Sequence, residues 1–125
     1  EVGATPRGRL LLRRDPRTAR LVLVERGAEP LDEPALAEVR RRAAAGGPCV
    51  QRVLCLSEDR REVWYEALEG EPLPAAAATP RERDRLDAAR ARHPDLPLTH
   101  FARTEGGPVW LVAPLPGPLS SSGSA

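Results

Sequence analysis

Few side chains in this sequence can do chemistry, and the missing types narrow the possibilities further. There is no lysine; all 19 basic residues are arginine. Without lysine there is no amine for a Schiff base and no ammonium of the kind that clamps nucleotide phosphates. Asparagine, isoleucine and methionine are absent too, and GC-rich coding accounts for part of this, because these residues have AT-rich codons. His93 and His100 stand seven positions apart with no cysteine nearby, a poor zinc pattern. Cys49 and Cys55 form a Cys-x5-Cys arrangement that fits neither a metal knuckle nor a disulfide framework, and they are expected as buried free thiols. His93-Pro94-Asp95 reads first as a helix terminus followed by a turn, with the histidine at the negative end of the helix dipole. No Ser-His-Asp spacing stands out, so neither a metal nor a cofactor is expected.

Composition sets the frame around these residues. A length of 125 residues suits one domain, and an apolar fraction of 41% is enough for a core. The net charge is +1, which gives no large field of one sign and argues against a nucleic-acid partner. The arginines at 40–42 and 81–92 are interleaved with acids and read as solvated helix faces. No run approaches the roughly 18 apolar residues that span a bilayer. Neither a membrane partner nor a secretion signal is therefore expected, and the expected compartment is the cytoplasm. The chain begins with Glu1, so it is expected to be processed or cut from something longer.

The elements follow from pattern and punctuation. Short apolar runs at 9–14 and 20–25, joined by Asp15-Pro16-Arg17-Thr18, predict a β-hairpin. Asp32 as N-cap, Glu33 and Pro34 open a helix that runs to about Ala45, with Leu36, Val39 and Ala43 at helical spacing. Gly46-Gly47-Pro48 stops it, and Glu38 and Arg42 form an i,i+4 pair expected on its exposed side. Residues 50–57 and 62–68 predict a second hairpin, and 70–78 a linker. Thr79-Pro80-Arg81-Glu82 is a capping box for a helix ending at His93 before Pro94. Residues 108–113 read as a strand after Glu105-Gly106-Gly107, and 120–125 as a flexible tail. The fold class is α+β, and Trp64 and Trp110 are expected in the core.

Hairpin, helix, hairpin is the order of a protein-kinase N-lobe, and several motifs agree with it. EVGATPRGRLLLRRDPRTARLVLVE (1–25) resembles the glycine-rich loop and third strand of bacterial Ser/Thr kinases, G-x-G-x-x-G-x-V running on to V-A-L-K. In that register Gly3 and Gly8 match the outer glycines and Thr5 replaces the middle one. Glu25 replaces the lysine, and Glu38 matches the helix glutamate that pairs with it. VWYEALEGEPL (63–73) resembles the last N-lobe strand and hinge, with Tyr65 near the gatekeeper and Glu66-Ala67 in the hinge. HPDLPLTHFARTEGGPVWLVAPL (93–115) resembles the catalytic loop running into the metal loop: His93 and Asp95 fit H-x-D, His100 falls on the asparagine and Ala113 on the metal-loop aspartate. The resemblance implies an N-lobe-like antiparallel sheet with one packed helix over 1–74. It also implies a remnant C-lobe over 75–119, lacking the activation segment. A competing register makes 83–119 a second helix-hairpin-hinge unit, since VWLVAPLPGPL echoes VWYEALEGEPL. The catalytic-loop register is preferred because a hinge has already been used upstream.

The substitutions bear on chemistry. Kinases position phosphates with a lysine and metal ions. Glu25 puts an anion in place of that cation, and an inward Glu38 would bring two carboxylates together unless an arginine such as Arg13 or Arg26 relieved them. Ala113 removes the metal ligand, and His100 is a poor ligand for a hard cation. Asp95 retains proton-accepting chemistry with no bound nucleotide to act on. The resemblance thus implies a pseudokinase-like module, not an enzyme, that holds a protein partner or a second copy. Trp110, Leu111 and Leu115 are its expected contact residues, because a strand apolar on both faces needs cover on both. An unrelated α+β adaptor and a degenerate nucleotide-binding protein are the alternatives.

Overall fold

The computed structural model describes residues 3–5 and 7–115; the expected tail at 120–125 and the apolar positions at 116–119 lie outside the described residues. The first strands, β1 (Gly3–Ala4), β2 (Gly8–Arg14) and β3 (Leu21–Gly27), form an antiparallel meander. The β2–β3 turn follows from its letters. Asp15 Oδ1 accepts from Arg17 N at 2.9 Å, and Ala19 takes the left-handed conformation at φ 59°. Helix α1 (Glu33–Ala45) follows, capped by Asp32 Oδ1 accepting from Ala35 N at 2.9 Å. β4 (Val53–Leu56) and β5 (Glu62–Glu66) complete a five-stranded sheet in the order β1-β2-β3-β5-β4.

The rest of the chain forms a smaller layer. β6 (Leu73–Pro74) leads into a 3-10 turn (Ala75–Ala77) and then α2 (Pro80–Arg92), which has both halves of the expected capping box. β7 (His100–Thr104) and β8 (Gly107–Trp110) close a three-stranded sheet in the order β6-β7-β8. The chain is an α+β fold with two antiparallel sheets. The stretch expected as linker at 70–78 instead holds β6 and the 3-10 turn, and the strand expected at 108–113 is shorter and pairs with β7, which the sequence did not announce. The helix–hairpin order of α1-β4-β5 recurs in α2-β7-β8. The matching tryptophans differ, however: Trp64 is half-buried and Trp110 buried.

Cross-strand register sorts the large sheet into two faces. Leu10, Leu23, Glu25, Val63 and Tyr65 share the α1 face. The opposite face carries Leu11, Val24 and Trp64, and there Glu62 takes Arg13, Arg26 and the indole Nε1 of Trp64. One apolar core joins the layers: Leu36 and Val39 from α1, Val63 and Tyr65 from β5, and Leu86, Phe101 and Trp110 from the second half. Arg40 and Arg41 are solvated as expected, but Arg42 turns inward and donates to Tyr65 Oη at 3.0 Å. Burial raises the Tyr65 phenol above its ordinary range, partly opposed by the Arg42 charge.

Candidate binding cleft

β2 and β3, the strap at 111–115 and the segment at 68–72 enclose a cleft of about 230 Å³. Leu10, Leu12 and Leu23 reach it from the sheet, Leu68 and Pro72 from the connection after β5, and Leu111 and Leu115 from the strap. Leu12 is 51% exposed and Leu115 37%, so its mouth is apolar and open. Among the described residues no charged side chain lines it. Its one polar side chain among the described residues, Gln51, is hydrogen-bonded at both amide atoms: Nε2 donates to Glu66 O at 2.7 Å, and Oε1 accepts from Val112 N and Ala113 N, both at 3.0 Å. Gln51 thereby fastens the strap to the end of β5. Main-chain bonds from Gln51 N to Trp110 O and from Trp110 N to Cys49 O, each 2.8 Å, fasten the two layers beside it.

The residues singled out from the sequence fall into three places. Gly3, Thr5 and Gly8 form a tight β1–β2 turn, with Thr5 N donating to Gly8 O at 2.9 Å and Thr5 Oγ1 accepting from Gly8 N at 3.1 Å. Gly8 sits opposite Gly27, and a Cβ there would collide with the Arg26 carbonyl. Below this turn, Glu25 and Glu38 line a second cavity of about 200 Å³ with Arg7 and Arg42. Glu25, 5% exposed, accepts from Arg7 Nη1 at 3.2 Å. Arg13 and Arg26, the relief expected from the sequence, lie on the other face and pair with Glu62; Arg7 takes the part instead. Glu38 accepts from Arg41 Nη2 at 2.6 Å. Its Oε2 is shielded from solvent without a hydrogen bond, 3.6 Å from Arg42 Nε. Each carboxylate has its own guanidinium, and the Glu38–Arg42 pair is half-buried rather than on an exposed face.

The third group spreads along the second half. His93 caps the end of α2, and Asp95 is exposed on the turn that follows. His100 begins β7, with Nδ1 2.9 Å from Thr99 Oγ1. His100 and Ala113 line a cavity of about 200 Å³ that Arg42 also reaches, whereas Asp95 is not among its walls. Among the described residues no cluster of three or more His, Cys, Asp or Glu side chains gathers as a metal site would need. Cys49 and Cys55 are free thiols, but Cys49 is only half-buried and Cys55 is exposed, which corrects the expectation that both lie inside.

Trp110 is also corrected as a contact residue. It is 1% exposed, its Nε1 donates to Leu86 O at 2.8 Å, Phe101 meets it edge-on at 6.5 Å, and the Arg90 guanidinium lies 4.5 Å from its ring centroid. The cover a doubly apolar strand needs comes here from α2. Leu111 is half-buried in the strap, and Leu115 keeps an exposed edge. Sequence reasoning missed Gln51 and Arg7, the polar residues that organise the cleft and the neighbouring acid pair. Among the described residues no helix is long and apolar enough to cross a membrane. No protein-family model matches the chain, and no curated protein matches it.

Proposed function

We propose that this chain is a non-catalytic, kinase-like module that works by holding a protein partner or a second copy within a larger assembly. The observation that carries this is the lining of the cleft: among the described residues it holds leucines, prolines, a glycine, an alanine and one hydrogen-bonded amide, and no cation. Phosphoryl transfer depends on charge around the phosphates, and the nearby guanidinium of Arg7 is already paired with Glu25. Ala113 offers only its methyl and a main-chain N–H that Gln51 occupies. Kinase ancestry is supported by the element order, with one helix between β3 and β4 of a five-stranded antiparallel sheet and a helix and hairpin after it. The open apolar rim at Leu12 and Leu115 is the contact surface this reading assigns.

Labelled ATP, magnesium and a generic protein acceptor test the non-catalytic half. No phosphate transfer above a protein-free blank is expected, and transfer that scales with protein concentration overturns it. Leu12→Glu with Leu115→Glu tests the contact half by light scattering. Both side chains are exposed, so the variant keeps its circular-dichroism spectrum and gains solubility. A variant indistinguishable from the parent in association would remove the cleft rim as the contact surface.

A further inference from the structure

Besides the leucine cleft, the strap at 111–115 borders the cavity of about 200 Å³ that Arg42 and His100 also line. Among its described lining residues Arg42 is the one permanent charge, and none is an acid. Leu96, Leu98, Leu111 and Val112 supply an apolar wall. The guanidinium is not spent within the fold. Its Nη1 donates to Tyr65 Oη at 3.0 Å, a phenol that burial holds neutral. Its Nε stands 3.6 Å from Glu38 Oε2 without a hydrogen bond, and the same carboxylate takes Arg41 Nη2 at 2.6 Å. Two guanidiniums thus share one carboxylate, which leaves that trio one positive charge in surplus. Arg42 Nη2 makes no hydrogen bond among the described residues and is not shielded from solvent.

We infer that this cavity binds a small carboxylate with an aliphatic body, its oxygens on the Arg42 guanidinium and its carbons against Leu96, Leu98 and Leu111. Arg42 also lines the neighbouring cavity, but Glu25 and Glu38 stand in that wall and repel an anion. The volume sets the size: it equals the liquid share of about seven waters, the bulk of an acid of about five carbons. The main chain argues against phosphate. Val112 N and Ala113 N donate to Gln51 Oε1, Leu111 N donates to His100 O, and Pro114 has no N–H. Thr99 Oγ1 and His100 Nδ1 engage each other at 2.9 Å. The strap therefore offers no main-chain donor from 111 to 114 to the several oxygens of a phosphate, whereas a carboxylate matches one guanidinium. Two sources supply this chemistry: a free short aliphatic acid, and the carboxyl terminus of a chain that ends in leucine or valine. The site does not depend on the chain being a kinase-like module.

Amide chemical shifts of the full chain test this. Isovalerate is expected to move the amides of Leu98, Thr99, His100 and Leu111 saturably, with a dissociation constant of about 1 mM. Isoamyl alcohol, which keeps the carbon skeleton without the charge, and inorganic phosphate are expected to bind at least about tenfold more weakly. Thr99 is exposed at the wall of the cavity, so Thr99→Glu adds an acid there without disturbing the core and is expected to weaken isovalerate by about tenfold or more. Arg42→Gln is expected to do the same, with its melting temperature recording any structural cost. A short peptide ending in leucine separates the sources. Tighter binding than isovalerate, lost in the C-terminal amide, assigns a chain terminus; equal or weaker binding assigns the free acid, and either upholds the site. The proposal is overturned if isovalerate gives no saturable shift up to about 30 mM, if isoamyl alcohol or phosphate matches it, or if Thr99→Glu binds it unchanged.

Discussion

Replacing Gln51 with leucine keeps the side chain's approximate volume, so little of the effect comes from a cavity. What is lost is three hydrogen bonds, to Glu66 O at 2.7 Å and from Val112 N and Ala113 N at 3.0 Å, around a residue 1% exposed. At about 0.5–1.5 kcal/mol net for each bond, the change costs about 1.5–4.5 kcal/mol, toward the upper end because buried partners are left unsatisfied. Urea denaturation measures this directly, with an unchanged m-value if the native state stays compact. The loss is local as well as global. Amide exchange at Val112 and Ala113 rises because the strap is no longer fastened, while amides in the middle of α1 follow only the global change. A stability change under about 0.5 kcal/mol, with exchange at the strap unaltered, would refute the role given to Gln51.

Other outcomes follow from the same geometry. Arg7→Ala leaves the carboxylate of Glu25 buried without its guanidinium and costs about 1–3 kcal/mol; Arg7→Ala with Glu25→Gln recovers most of it in thermal melts, and equal losses in the single and double variants would argue against the pair. Gly8→Ala drives a Cβ into the Arg26 carbonyl and costs about 1–3 kcal/mol in chemical denaturation, whereas a neutral result would mean the β1–β2 turn sits differently. Glu82, which accepts from Arg103 Nε at 2.7 Å and from Thr79 N at 2.9 Å, has its carboxyl held down to about 2 from an ordinary 4.5, with Arg103 the larger cause. Its stabilising effect is therefore fully present above about 4.5 and lost as pH falls toward about 2. The stability gap between the parent and Glu82→Gln should close across that window in acid titrations followed by fluorescence, and a gap constant with pH would contradict the pairing.

Local punctuation made the helices and first hairpin legible. Asp32, Thr79 and Glu82 side chains accept from main-chain N–H groups at the two helix starts, the prolines after the caps fix the helical φ, and Asp15 closes its turn with the same kind of bond. Nothing beyond a few residues is needed to see these. β7 was hidden because His100–Thr104 has only Phe101 and Ala102 as apolar letters, and its strand character comes from pairing with β8. Trp110 was expected both in the core and as a contact residue, and only the first holds, because its burial depends on where α2 and Cys49 return in space. The same holds at the site. The acids Glu25 and Glu38 stood out by type, but Arg7 as the partner of Glu25 follows from the β1–β2 turn folding over the sheet. Gln51 looked like one polar letter in a strand-like run, and its three bonds connect segments far apart in sequence.

The most direct measurement is a thermal-shift titration of the full chain with Mg-ATP, carried to millimolar nucleotide and repeated with ADP and without metal. With no cation among the described residues that line the cleft and Arg7 paired to Glu25, the melting temperature is expected to stay constant throughout. A ligand present at about 100 times its dissociation constant stabilises by about 2.7 kcal/mol, so genuine binding would appear as a saturating rise of several degrees. Such a saturating rise would contradict a cleft that takes no nucleotide and favour the degenerate nucleotide-binding reading.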